Sequence, residues 1–65
     1  IRFEALTSRE REILSLISDG ITNKEIGAKL DIALATVEMH RSNIMRKMEA
    51  DNLAQLIKQA VLLSL

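Results

Sequence analysis

Apolar residues along this chain recur three and four positions apart, the spacing that lines one face of an α-helix. The two-residue alternation of a half-buried strand persists nowhere for a useful length. A first helix is predicted over residues 8–18, with Ile13, Leu14, Leu16 and Ile17 facing inward. Asp19-Gly20 closes it, since glycine accepts the left-handed backbone that ends a helix. A short second helix, 23–30, carries Ile26 and Leu30 on one face. The third, 34–49, sets Val37, Ile44 and Met48 on one line with Met45 beside them. A fourth over 53–63 has the inward line Leu53, Leu56, Ile57, Ala60 and Val61, after a break at Ala50-Asp51. Two Thr-x-x-Glu boxes, Thr7 to Glu10 and Thr22 to Glu25, mark the first two helix starts. Asn52 to Gln55 is a weaker form of the same device. The class is therefore all-α, four helices, with residues 1–5 as the end of an interdomain linker and 6–65 as the domain.

Composition narrows what such a bundle can do. The chain has 65 residues, 48% of them apolar, which suits one small globular domain and leaves no space for a deep catalytic pocket. Cysteine is absent and His40 is the single histidine, so no disulfide, thiolate zinc site or cysteine nucleophile is expected. We expect no enzyme, no cofactor and no metal. The longest apolar runs are four residues, against ~18 for a membrane span, so no membrane partner is expected. The missing initiating Met suggests a piece of a longer protein. Nine basic residues balance nine acidic ones, and only local charge is informative.

That local charge lies on the third helix. Helices two and three, joined by Asp31-Ile32-Ala33, form a helix-turn-helix over about 22–49, a geometry that sets its second helix in a DNA major groove. Opposite the core line, the third helix carries Ala35, Glu38, Met39, Ser42, Asn43 and Arg46. These side chains can meet base edges. Thr36, His40, Arg41 and Lys47 lie at the shoulders, where phosphates pass, and residues 36–48 hold three basic residues against one acidic. Lys24 and Arg46 join the phosphate set, together with Asn43. Gly27 sits inside a helix, where glycine is disfavoured by about 1 kcal/mol, and marks a close crossing of the two helices.

Three stretches, Leu6-Thr7-Ser8-Arg9-Glu10-Arg11-Glu12-Ile13-Leu14, Gly20-Ile21-Thr22-Asn23-Lys24-Glu25-Ile26 and the run from Thr36 to Met48, resemble the LuxR-type helix-turn-helix. The Val37-Glu38-x-His40-Arg41-x-Asn43-x-Met45 run is most similar to FixJ- and NarL-like response regulators. The resemblance implies a cytoplasmic bacterial transcription regulator whose output domain binds double-stranded DNA at an inverted-repeat operator, downstream of a receiver or sensor domain. It places Glu38, Met39 and Ser42 at base-facing positions, and Asn23, Lys24, Thr36 and Lys47 against the backbone. It also implies a homodimer through the last helix, with Gln55, Gln59, Leu62 and Leu63 as contacts.

Plainer readings stand beside these. Glu38 in the first turn of its helix is also favoured by the helix dipole, and base reading by its carboxylate means accepting from cytosine N4. Met39 suits a thymine methyl but also passes as a lone exposed apolar residue. Ala33 stands where the family commonly has a capping serine or threonine, a loss of about 1 kcal/mol. The same module in a small-molecule (quorum-type) regulator, a sigma-factor region or a helical protein-interaction adaptor remain alternatives.

Overall fold

The computed structural model describes residues 5–64, with side chains described through Leu62. Four helices follow in order: α1 (Ser8–Ser18), α2 (Asn23–Leu30), α3 (Leu34–Lys47) and α4 (Leu53–Ser64). Residues 1–4, most of the expected linker, lie outside the described residues.

Both threonine boxes close as expected. Thr7 Oγ1 accepts from the Glu10 N–H at 3.1 Å while the Thr7 N–H donates to Glu10 Oε1 at 2.9 Å. Thr22 and Glu25 repeat the exchange at 3.2 and 3.0 Å. At α4 the Gln55 N–H donates to Asn52 Oδ1, and the Gln55 amide oxygen reaches back to the Asp51 N–H, one residue earlier than a standard box.

The first three helices end in one common way. A residue with positive φ follows the helix, and the next N–H turns back to a carbonyl five residues earlier. After α1 the left-handed residue is Gly20, φ 83°, and the Ile21 N–H reaches Leu16 O at 3.0 Å. After α2 it is Asp31, φ 57°, with the Ile32 N–H on Gly27 O at 2.9 Å. After α3 it is Glu49, φ 56°, with the Ala50 N–H on Met45 O at 3.0 Å. This last closure corrects the expected end of α3. The helix stops at Lys47 rather than residue 49, because the reversal at Glu49 folds Ala50 back onto the core.

The core holds Leu6, Ile13, Leu14, Ile17, Ile26, Val37, Ile44, Met48 and Leu56. α1 packs against α3 and α4, and α2 packs against α3. Leu16 and Leu30 are half-buried at the edge of this core. The expected inward line of α4 is corrected. Leu53 and Val61 are 37% and 47% exposed, and only Leu56 is fully enclosed, with Ile57 and Ala60 half-buried beside it. α4 leans chiefly on α1, so a narrower stripe than the sequence offers is covered.

Gly27 has a definite reason. A Cβ there would lie 2.9 Å from the Ile32 carbonyl oxygen and 3.6 Å from Val37 Cγ2. The close neighbour is thus the backbone of the turn, with α3 just behind it. Two glycine exchanges test this account in opposite directions. Gly27→Ala should destabilise by about 1–3 kcal/mol through overpacking. Asp31→Gly should stabilise by roughly 0.5–1 kcal/mol by relieving a left-handed residue. For a domain of this size about 1 kcal/mol moves Tm by about 4–8 °C, so thermal melts resolve both.

Candidate nucleic-acid interface

Three buried residues set the rotation of α3. Val37, Ile44 and Met48 face the core, and the opposite side is thereby turned out except at Asn43, which is half-buried rather than exposed as its spacing predicts. Glu38, Met39, Ser42 and Arg46 are exposed, as is Ala35. Met39, at 53% exposure, presents its thioether to solvent in the middle of that face. Thr36, His40, Arg41 and Asn43 are half-buried at the shoulders. Asn43 Oδ1 accepts from Arg46 Nη2 at 3.2 Å, which holds the guanidinium along the helix surface.

The start of α2 lies beside this face. An open groove of about 560 Å³ is lined by Thr22, Asn23 and Lys24 from the start of α2 and by Leu34, Glu38 and Arg41 from α3. Its floor is apolar, from Ile17, Ile21, Leu53 and Ile57. The fold therefore brings Asn23 and Lys24 together with Glu38 and Arg41 around one concavity. Met39, Ser42 and Arg46 are not among the groove's lining residues. The N-terminal end of α3 itself is bare, because Ala33 makes no side-chain cap.

Lys47 sits differently from the other basic residues of α3. Its Nζ donates to Glu10 Oε1 at 2.8 Å, and Glu10 is only 4% exposed. Sequence reasoning gave Glu10 no role beyond capping. The signal was present, since Glu10 falls on the line of Ile13, Leu14 and Ile17, where a charge needs a partner. Burial pushes its carboxyl up, but the Lys47 ammonium and the Thr7 N–H and hydroxyl outweigh that and hold it below the ordinary glutamate range. The Thr22 N–H and then its hydroxyl do the same for Glu25.

Of the residues expected at a dimer contact, Leu62 is exposed and Gln55 is exposed with its amide engaged in starting α4. Gln59 is half-buried, and its amide oxygen is enclosed without a hydrogen-bond partner. The side chain of Leu63 lies outside the described residues.

Comparison with known proteins agrees with this geometry. The family described as bacterial regulatory proteins, luxR family, matches residues 4–60. The chain belongs to the LuxR family. Among its relatives are the tetrathionate response regulatory protein TtrR of Salmonella typhimurium, 46% identical over 88% of this chain and 28% of its own. The transcriptional regulatory protein FixJ of Rhizobium meliloti is 45% identical over 92% of this chain and 29% of its own. An uncharacterized response regulatory protein of Escherichia coli, YgeK, is 54% identical over 86% of this chain and 38% of its own. The chain thus spans between about a quarter and two fifths of these relatives. Membership in the LuxR family carries the coarse assignment, a DNA-binding domain of transcription regulators and not an enzyme class. Among the described residues no helix is long and apolar enough to cross a membrane.

The depressed Glu10 carboxyl makes stability depend on acid. A lowered folded-state pKa gives stability that is complete above the unfolded value of about 4.3 and fades as pH falls through the folded value. Helicity followed by circular dichroism during acid titration should therefore fall more steeply below that point in the parent than in Glu10→Gln. Identical acid profiles would contradict the assigned coupling.

Proposed function

We propose that this domain binds double-stranded DNA sequence-specifically as the output domain of a response regulator, with α3 in the major groove. The observation that carries the reading is the exposed polar side of α3 facing away from Val37, Ile44 and Met48, with the start of α2 alongside. Glu38, Met39 and Ser42 read bases: a carboxylate for cytosine N4, a thioether for a thymine methyl, a hydroxyl for either donor or acceptor. Asn23, Lys24, Thr36, His40, Arg41, Asn43 and Arg46 hold the phosphates on either side.

Two of the relatives named above are response regulatory proteins, and each is more than twice as long as the part this chain matches. An upstream receiver domain that controls the output domain accounts for that length. Because the formal net charge is zero, one copy has little general attraction for DNA. Two copies joined through α4, with Gln55, Gln59, Leu62 and Leu63 in contact, would engage an inverted repeat whose half-sites lie about one turn apart. Such a regulator works in the cytoplasm, where its operator is.

Selection of duplexes from a random pool, followed by anisotropy titration over a range of salt, tests the reading. Each phosphate neutralised contributes about −0.9 to the slope of log K against log salt. Lys24, Arg41 and Arg46 predict a slope of about −3 per domain. Arg46→Ala should weaken all duplexes alike and make the slope shallower by about one. Glu38→Ala should instead relax preference at one base pair, by about 1–3 kcal/mol of discrimination. A flat salt response, or equal losses on every duplex for both variants, contradicts the assignment.

A further inference from the structure

Glu10 and Lys47 join the two ends of the domain's central packing. Glu10 belongs to the first turn of α1, and one oxygen, Oε1, accepts both the Thr7 N–H at 2.9 Å and Lys47 Nζ at 2.8 Å. Lys47 is the last residue of α3, separated from Glu10 by 37 positions in sequence, and its side chain is 28% exposed. A second ion pair among the described residues, Arg9 with Glu12, is exposed and local to α1.

This geometry argues against the phosphate role that sequence spacing gives Lys47. An ammonium committed to a buried carboxylate has less charge to offer DNA, and leaving it altogether would strand Glu10 without its counterion, which is strongly unfavourable. A cation already neutralised inside the protein releases no counterion from the duplex, so it adds nothing to the salt dependence. What the pair does fix is α3 itself. The N-terminal end of α3 has no side-chain cap at Ala33, whereas its last residue is tied to α1 through Glu10. A carboxylate rooted in the α1 box stops that turn from sliding or rotating.

We propose that Lys47 is a positioning residue for sequence readout, anchored by Glu10, and not a phosphate ligand. Glu38, Met39 and Ser42 ride on the helix it holds. Hydrogen bonds to base edges weaken steeply outside a narrow range of distance and angle, so a loosened α3 loses discrimination before it loses general attraction for DNA. The proposal rests on the DNA-binding reading above.

The test measures parent, Lys47→Gln, Lys47→Arg and Glu10→Gln against a selected duplex and a scrambled one, across salt, at a temperature where circular dichroism shows each fully helical. The expected result for Lys47→Gln is roughly a tenfold loss on the selected duplex, little change on the scrambled one and an unchanged salt slope. Lys47→Arg should restore most of the lost ratio. A slope made shallower by about 0.9, with equal losses on both duplexes, would overturn the proposal, as would no change at all. If Lys47→Gln does not fold, Glu10→Gln decides. Its amide oxygen still accepts from Thr7, and a reduced ratio of selected to scrambled affinity supports anchoring. An unchanged ratio, whatever the general affinity a freed Lys47 adds, would sink it. A parent protein that binds no duplex contradicts the DNA-binding reading itself, a separate failure.

Discussion

The rest of the structure depends on the burial of Val37, Ile44 and Met48, which fixes how α3 is turned about its own axis. Each such side chain contributes roughly 1.5–3 kcal/mol when removed from water. A turn by one residue, about 100°, would bring Glu38 or its neighbours toward the core, where an unpaired carboxylate is costly. The polar side of α3 is thus held outward by what its other side buries. Burial turns Glu38, Met39 and Ser42 outward, and the Glu10–Lys47 pair ties down the end of the helix that carries them. Function here is the remainder of a packing solution.

Packing α3 this way requires α2 to arrive at a set distance and to turn sharply. Gly27 permits the turn backbone at Ile32 to come closer than any side chain allows, and its carbonyl receives the Ile32 N–H. Three left-handed residues, Gly20, Asp31 and Glu49, end helices without a proline anywhere in the chain. Two of the three are acidic and carry the strain of a conformation that glycine adopts freely. Short connections leave little freedom in how the helices meet.

Much of this was legible beforehand because the signals are local. A threonine box names a helix start within a few residues, and α1 and α2 fall on their expected bounds. The exposed face of α3 followed from its three-residue core line. The errors came where tertiary contact overrides local pattern. Nothing in Glu49 announces a left-handed residue, so α3 was expected to run further. α4 carries more apolar residues than its neighbours cover, and periodicity alone could not say that Leu53 and Val61 stay outside. Sequence spacing places Lys47 among the phosphate contacts and shows nothing of its ion pair with Glu10, 37 positions away. The outward set at the candidate site was therefore accessible from the helical wheel, whereas the ion pair beneath it was visible only in three dimensions.

Charge completes the account. A chain with no net charge cannot hold DNA by bulk attraction, so its cations must be placed. Lys24, Arg41 and Glu38 line one groove, and in the proposed reading the Glu38 carboxylate repels phosphate and selects a base. The most direct test is a heteronuclear NMR titration of the domain with a selected duplex. Amide shifts should concentrate on residues 38–47 and on Asn23 and Lys24, with those on α4 confined to the contact between two copies. Shifts confined to α4, or none at all, would contradict the claim that α3 is the surface that meets DNA.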